Sequence, residues 1–342
     1  MSLAFYQQFV LGIIFFVIRV IWFVDVVTSF SVRKVLKISR AVFVAVVLST
    51  TVGFLIYAIP SKTLYSIFDG YMFGSQSFIY TTYVKPDFPV KIATKPAPSI
   101  SAVAALVVDN KSGKRLYEYK PDLKLAPAST TKLMTALVAL DLYNLDDEVT
   151  VPLNCTQIDS TKAWLPVAST YKVRDLLLSM MVGSAGDSAC VLAEGKTSIT
   201  DFVNLMNKKA AEFGMKNTNF TNPVGLDGLV GEHHSTAAEL YILSQKATSN
   251  DFIKRAVAQK EFDMFSADQK FETKLLNTNA LLWQIPGSVG VKTGTTASAG
   301  EVLIYEYSVD KKDITIVVMG STDRFYDTRA LLDWTLSSYS WE

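Results

Sequence analysis

An uncharged, mostly apolar run lies near the N-terminus of the chain. Residues 41–59 are nineteen consecutive residues without a charged side chain. A helix of this length rises about 28 Å, close to the roughly 30 Å thickness of a bilayer core. A helix buried in a soluble core is seldom apolar on every face over such a length. We therefore predict a transmembrane helix over 41–59. No A-x-A-like cleavage site follows it, so we expect it to be retained as an anchor.

A second apolar stretch precedes this run at residues 9–30, but it contains Arg19 and Asp25. An unpaired charge at mid-membrane costs a few kcal/mol on insertion scales. Two interpretations therefore remain open: a first transmembrane helix that forms a hairpin with 41–59, or a helix in the interface of the inner leaflet. We favour the spanning helix.

The polar segment between the two stretches indicates the orientation of the anchor. Residues 31–40 carry four basic and no acidic side chains, which predicts a cytoplasmic loop and an extracytoplasmic exit after residue 59. Residues 60–98 mix aromatic residues with a proline-bearing end and predict an extended tether. The predicted organisation is a membrane anchor over 1–59, a tether over 60–98 and an extracytoplasmic folded domain over 99–342.

Within residues 99–342 the hydrophobic period alternates between that of strands and that of helices. Apolar or alternating segments predict strands at 102–109, 115–119, 288–292, 302–307 and 314–319. Helical spacing predicts helices after residue 129 and over 176–182, 188–194, 202–213, 235–248 and 329–336, with Ser235 and Thr236 as candidate N-caps. Strands at both ends of the domain and helices between them predict an α/β (α+β) fold, with one antiparallel sheet flanked by helices.

Charge and composition exclude several classes of function. The chain has 33 basic and 32 acidic residues, without the basic excess that is typical of a nucleic-acid partner. Neither the two adjacent histidines, His233 and His234, nor the two cysteines have the spacing of a zinc site, so we predict no metal and no cofactor. The histidines indicate a turn and a helix cap rather than a catalytic base. Cys155 and Cys190 are able to form a disulfide, but we expect two buried free thiols, the commoner state.

A serine and a lysine three residues apart open the first predicted helix of the domain. At this spacing Ser129 and Lys132 share one face of a helix. Pro127 and Ala128 precede them, which puts Ser129 at the positive end of the helix dipole, where a developing alkoxide is favoured. A serine hydroxyl becomes a nucleophile when a base takes its proton. Lys132 is the candidate base, provided that burial and a neighbouring cation lower its pKa from about 10.4.

A downstream Lys-Thr-Gly-Thr segment at 292–295 supplies the second half of this candidate site. S-x-x-K followed by a distant K-T-G is typical of enzymes in which a lysine activates the serine. We expect Lys292 to be the neighbouring cation and Gly294 to let a ligand approach a strand edge. The hydroxyls of Thr293 and Thr295 are predicted to hold a carboxylate. The N–H groups of Ser129 and Thr295 are predicted to form an oxyanion hole.

Six segments extend these motifs into a family pattern: 126–136 (APASTTKLMTA), 220–227 (FTNPVGLD), 233–237 (HHSTA), 277–282 (NTNALL), 290–296 (GVKTGTT) and 329–334 (RALLDW). From about residue 102 to residue 336 the chain resembles the low-molecular-mass penicillin-binding proteins, the serine D-alanyl-D-alanine carboxypeptidases. The resemblance implies a β-lactamase/transpeptidase-like fold and acylation of Ser129 by a peptidoglycan stem peptide that ends in D-Ala-D-Ala. The terminal D-alanine leaves, and water releases the shortened peptide. It also implies β-lactams as covalent inhibitors of the same serine.

Two features depart from the family pattern. Its middle motif is S-x-N, whose asparagine orients the lysine and touches the substrate, whereas residues 184–186 read Ser-Ala-Gly. Ser184 is predicted to relay a proton. The missing amide at Gly186 is expected to lower the rate roughly 10- to 100-fold, unless Asp187 or a water substitutes. The C-terminal β-domain of the family is not evident, and we expect the N-terminal anchor, embedded in the lipid bilayer, to replace it.

Three hypotheses about function follow. An active carboxypeptidase leads, because the serine and both lysines are intact. A weakly active or inactive peptidoglycan-binding module is the alternative that Gly186 motivates, and a D,D-endopeptidase of the same family is the third. Arg324 and Arg329 are candidates to neutralise the substrate carboxylate, although an exposed or helix-capping arginine is the favoured interpretation of each.

Overall fold

The computed structural model describes residues 89–229 and 231–341. The predicted anchor over 1–59 and residues 60–88 of the predicted tether lie outside these ranges. Inside them, no helix is long and apolar enough to cross a bilayer.

The described chain has strands near both ends and a run of helices in its middle. The strands are β1 (Val90–Lys91), β2 (Ala104–Asp109), β3 (Arg115–Tyr119), β4 (Glu148–Thr150), β5 (Thr170–Lys172), β6 (Glu261–Phe265), β7 (Glu272–Leu276), β8 (Ser288–Thr296), β9 (Gly300–Val309), β10 (Lys312–Ser321) and β11 (Tyr339–Ser340). The helices are α1 (Lys132–Leu142), α2 (Leu153–Thr156), α3 (Val173–Val182), α4 (Gly186–Glu194), α5 (Ile199–Glu212), α6 (Ala237–Thr248), α7 (Asp251–Ala258), α8 (Leu281–Gln284) and α9 (Arg324–Ser338).

A five-stranded antiparallel sheet, in the order β3-β2-β10-β9-β8, organises the domain. Side chains of a strand alternate between the two faces of a sheet, and here both faces are covered. Leu106 of β2 belongs to a core that the middle helices complete, whereas Val107 belongs to a second core under Leu331 of α9. This arrangement confirms the predicted antiparallel sheet flanked by helices, with N- and C-terminal strands in one sheet.

Some boundaries differ from the predictions. β8 continues four residues beyond the predicted end, so the Lys-Thr-Gly-Thr segment lies inside an edge strand. α9 begins at Arg324, five residues before the predicted start, because Asp323 caps it by accepting a hydrogen bond from the N–H of Tyr326. Thr236 is the N-cap of α6, as predicted. The β4–β5 and β6–β7 pairs were not predicted from the sequence.

The expectation of two free thiols is wrong, because Cys155 and Cys190 form a disulfide. Cys155 lies in the short helix α2 and Cys190 in α4, and packing of the two helices brings their Cα atoms to 5.4 Å. This separation is within the range that a disulfide requires. The sequence separation of 35 residues carries no sign of this proximity.

The described part of the predicted tether, residues 89–98, contacts the end of the domain. Val90 and Lys91 pair with Ser340 and Tyr339. The indole N–H of Trp334 donates to the carbonyl of Lys95 at 3.3 Å. The last part of this segment is therefore held along the C-terminal helix and strand.

Candidate active site

Ser129 lies in a 3₁₀ turn, Ala128–Thr131, directly before α1. Helix α1 itself begins at Lys132, so the serine precedes the α-helix rather than opening it. Ala128 has a φ of 48°, a left-handed conformation that costs a residue with a side chain about 1–3 kcal/mol and is concentrated at functional sites. The turn presents a partly exposed serine next to a fully buried lysine.

The Lys132 amine has two close partners. Its Nζ lies 2.8 Å from Oγ of Ser129 and donates to the carbonyl of Val224 at 2.7 Å. Burial of the side chain lowers the pKa of Lys132 to about 7, against an opposing effect of the Asp187 charge. At that pKa about half of the molecules carry a neutral amine at pH 7, compared with roughly one in a thousand for an unperturbed lysine. Lys132 is therefore able to accept the proton of Ser129.

Lys292 reaches the same site from the edge strand β8. Its Nζ donates to Oγ of Ser184 at 2.8 Å and to the carbonyl of Thr293 at 3.1 Å. Burial lowers the pKa of Lys292 well below its usual range, and the charges of Lys132 and Arg324 lower it further. Two buried amines at this proximity disfavour holding both protons. Each amine thus contacts its own serine. The predicted role of Lys292 as the cation that lowers the pKa of Lys132 is not supported, because burial is what lowers the pKa of Lys132 and the pKa of Lys292 is itself lowered.

Gly294 allows β8 to lie directly against the nucleophile turn. A Cβ at this position would approach the backbone nitrogen of Ser129 to 2.7 Å and Cβ of Ala128 to 2.8 Å. Any side chain here would separate the strand from the turn. The glycine is required by close approach of this chain's own backbone, which the sequence prediction attributed to approach of a ligand.

In the predicted carboxylate site, Arg324 contacts Thr295, whereas Thr293 is engaged elsewhere. Thr295 is exposed, and its Oγ1 accepts a hydrogen bond from Nη1 of Arg324 at 2.6 Å. Arg324 also donates to the carbonyl of Gly294 at 2.8 Å. The hydroxyl of Thr293 is hydrogen-bonded to that of Thr278. Arg329 is exposed and donates to the side chain of Gln284, so of the two candidate arginines only Arg324 contacts the site.

The middle motif adopts a strained turn. Ser184 has a φ of 58°, and Gly186 is the first residue of α4. The carboxylate of Asp187 does not replace an amide at 186, because it accepts from the backbone N–H groups of Ala163 at 3.0 Å and Leu165 at 3.2 Å. Asp187 fixes the preceding loop instead.

His233 supports the nucleophile turn without reaching the serine. The N–H of Thr221 donates to Nδ1 of His233 at 3.0 Å, so Nε2 carries the proton and donates to Oγ1 of Thr131 at 2.9 Å. Burial lowers the pKa of His233 to about 4, which keeps the imidazole neutral. The structural role predicted for the histidines applies to His233.

Two residues at the site were missed at the level of sequence. The carbonyl of Val224 receives Lys132, but Val224 has no polar side chain and stood out only as part of the 220–227 segment. Ser160 approaches Gly186 from an irregular loop whose sequence has no periodicity that would reveal it. Both reach the site through the fold and not through a local motif.

Comparisons with known proteins agree with this geometry. The family model of peptidase S11, D-alanyl-D-alanine carboxypeptidase, matches residues 90–323, more than half of the chain. D-alanyl-D-alanine carboxypeptidase DacF of Bacillus subtilis is 30% identical over 250 residues, which are 70% of this chain and 63% of that protein. The chain thus spans less than two thirds of the length of that relative. A D-alanyl-D-alanine endopeptidase of Pseudomonas aeruginosa is 30% identical over 284 residues, 75% of this chain and 84% of that protein.

A solved structure shares the fold. The DD-transpeptidase of Streptomyces K15 aligns with a TM-score of 0.67 and 28% identity, covering 71% of this chain and 100% of that one. The domain therefore has an α+β transpeptidase-like fold. The family match, the relatives and the paired serine–lysine contacts lead to one assignment: the chain belongs to peptidase S11, the D-alanyl-D-alanine carboxypeptidase family.

Proposed function

We propose that this protein is a membrane-anchored serine-type D-Ala-D-Ala carboxypeptidase that trims peptidoglycan stem peptides through an acyl-enzyme on Ser129. The observation that carries the proposal is the 2.8 Å contact between Ser129 Oγ and the buried amine of Lys132, whose pKa is lowered to about 7. A neutral amine in contact with a serine hydroxyl is the arrangement that nucleophilic catalysis requires.

The reaction proceeds in two steps. Lys132 takes the proton of Ser129, and Oγ attacks the carbonyl carbon of the penultimate D-alanine. The C–N bond to the terminal D-alanine then breaks, and the leaving amine takes a proton that Lys132 returns directly or through Ser184. Water attacks the resulting ester with Lys132 as the base, which restores the Ser129 hydroxyl and frees the shortened peptide.

The edge strand β8 supports the binding of an extended peptide. An edge strand offers unpaired backbone groups to a ligand strand, and β8 pairs with β9 on one side only. The N–H groups of Ser129 and Thr295 form the oxyanion hole in this proposal. The hydroxyls of Thr293 and Thr295, together with the guanidinium of Arg324 that contacts Thr295, receive the terminal carboxylate.

The domain organisation and location of the protein are part of the same proposal. Residues 1–59 anchor the chain in the bilayer, residues 60–98 tether it, and residues 99–342 act on the extracytoplasmic side, where the substrate lies. The Cys155–Cys190 disulfide supports this location, because disulfides persist in oxidising compartments. β-Lactams would acylate Ser129 as covalent inhibitors.

A second candidate is D,D-endopeptidase activity, favoured by the relative of that name. A weakly active or inactive binding module remains as the third, motivated by Gly186. The three candidate functions differ in which bond, if any, the protein hydrolyses. One panel of substrates distinguishes between them.

Incubation of the full-length chain in detergent micelles with a stem pentapeptide ending in D-Ala-D-Ala tests the proposal. We expect D-alanine release from the wild type and none from Ser129→Ala. Cleavage of a cross-linked muropeptide dimer without D-alanine release from the pentapeptide would favour the endopeptidase. A folded wild type that cleaves neither substrate would contradict enzymatic function.

A further inference from the structure

Ser160 occupies the space next to Gly186 in which a side chain of residue 186 would lie. A Cβ built on Gly186 would lie 2.5 Å from Oγ and 2.7 Å from Cβ of Ser160, and 2.9 Å from Cγ1 of Val224. Contacts under 3.0 Å require displacement of the neighbour, so glycine at 186 and the observed position of Ser160 depend on each other.

The segment that carries Ser160, residues 158–165, is fixed to helix α4. The N–H of Gly186 donates to the carbonyl of Thr161 at 2.7 Å. The carboxylate of Asp187 accepts from the N–H groups of Ala163 and Leu165 on the far side of the segment. The disulfide ties the helix just before the segment to the same α4. The position of Ser160 is therefore set by the backbone around Gly186 and not by an unattached loop.

The Ser160 hydroxyl borders the space at Gly186 that residues of both serine–lysine pairs' surroundings also border. Val224, which would contact the same Cβ, accepts the hydrogen bond from Lys132. Ser184, two residues before Gly186, accepts from Lys292. Ser160 is partly exposed, and its Oγ has no hydrogen-bond partner among residues 89–229 and 231–341. A free hydroxyl at the wall of a site is available to a ligand.

We propose that Ser160 is a substrate-binding residue of this site, whose hydroxyl hydrogen-bonds a backbone amide of the stem peptide acylating Ser129. The inference rests on the proposed carboxypeptidase function. Ser160 would thus supply the polar contact with the substrate that Gly186, which has no side chain, cannot make.

The test compares kcat and KM for D-alanine release from the stem pentapeptide by the full-length chain. Ser160→Ala removes the hydroxyl and keeps the segment, and we expect a roughly tenfold loss of kcat/KM, the effect of one hydrogen bond. Thr161→Ala is the matched control, because Thr161 is an exposed neighbour with a hydroxyl of its own. It should stay within about twofold of the wild type. Both variants should melt within about 1 °C of the wild type, since neither loses a buried contact.

A double-mutant cycle separates substrate binding from a packing role. Gly186→Ala should displace the Ser160 side chain and cause a loss similar to that of Ser160→Gly. Ser160→Gly/Gly186→Ala should lose little more than either single variant, because the same contact is removed by each. Three results would each overturn the inference. They are a kcat/KM of Ser160→Ala within twofold of the wild type, an equal loss of kcat/KM in Thr161→Ala, and fully additive losses in the cycle. Failure of the wild type itself to release D-alanine would instead contradict the proposed function.

Discussion

Replacement of Lys132 by methionine removes the proposed base while keeping an unbranched side chain of similar length. The pKa of Lys132 falls from 10.5 to about 7 because of burial. The unfolded chain therefore binds more protons than the folded chain between about pH 7 and pH 10.5. Over this window the wild type gains stability as pH rises, and at pH 7 the buried amine costs it roughly 4 kcal/mol.

The variant avoids this cost of burying a charged amine, but it loses two hydrogen bonds. Lys132 makes hydrogen bonds to Ser129 and Val224, and leaving their partners unpaired costs about 2 kcal/mol together. Lys132→Met should therefore be about 2 kcal/mol more stable than the wild type at pH 7. For a domain of this size that raises Tm by about 4–8 °C. The advantage should shrink towards zero by about pH 9, because the proton penalty has fallen there to about 2 kcal/mol, which the lost hydrogen bonds offset.

The same variant should lose acylation almost completely. Removal of a general base costs about 10²–10⁴-fold, and the assay is the rate at which Ser129 gains the mass of a bound penicillin. In the wild type this rate should rise with pH through about 7, as Lys132 loses its proton. A Lys132→Met protein that is acylated within tenfold of the wild-type rate would refute the base assignment. A lower Tm at every pH would refute the burial argument.

Three further substitutions test the surroundings of the site. Gly186→Asn alone should lower activity rather than raise it, because its Cβ would lie 2.5 Å from Oγ of Ser160; kinetics of D-alanine release check this. Gly294→Ala should abolish penicillin labelling in a folded protein, since its Cβ would lie 2.7 Å from the nitrogen of Ser129. Replacing both cysteines with alanine removes a cross-link across 35 residues. It should cost about 4 kcal/mol in denaturant unfolding, and unchanged stability would contradict that estimate.

Local sequence patterns predicted the parts of the fold whose residues are close along the chain or strongly periodic. β2, β3 and β10 have continuous or alternating apolar residues and were predicted within two residues. The β6–β7 hairpin was not predicted, because its strands alternate with charged residues and only Met264 and Leu275 are buried. Amphipathic spacing is the signal, and a short, mostly exposed pair gives little of it.

The candidate site also has contacts that local sequence predicts and contacts that depend on the fold. Ser129 and Lys132 are three residues apart, so their contact follows from local geometry. That Lys292 lies at this site was inferred only from motif order, and its contact with Ser184, across 108 residues, was not predicted. Ser160 and the Cys155–Cys190 bridge depend on how one irregular segment packs against α4. The order of residues does not reveal that packing, and free thiols were expected only because they are the commoner state of two buried cysteines.

The most direct test of the account is the mass of the full-length protein during turnover of a D-Ala-D-Ala stem peptide. Rapid acid quenching followed by peptide mapping should find an ester of the peptide, shortened by one D-alanine, on Ser129. It should form faster as pH rises through about 7. D-Alanine release without any adduct on Ser129, or an adduct that persists at the same level in Ser129→Ala, would contradict the central claim.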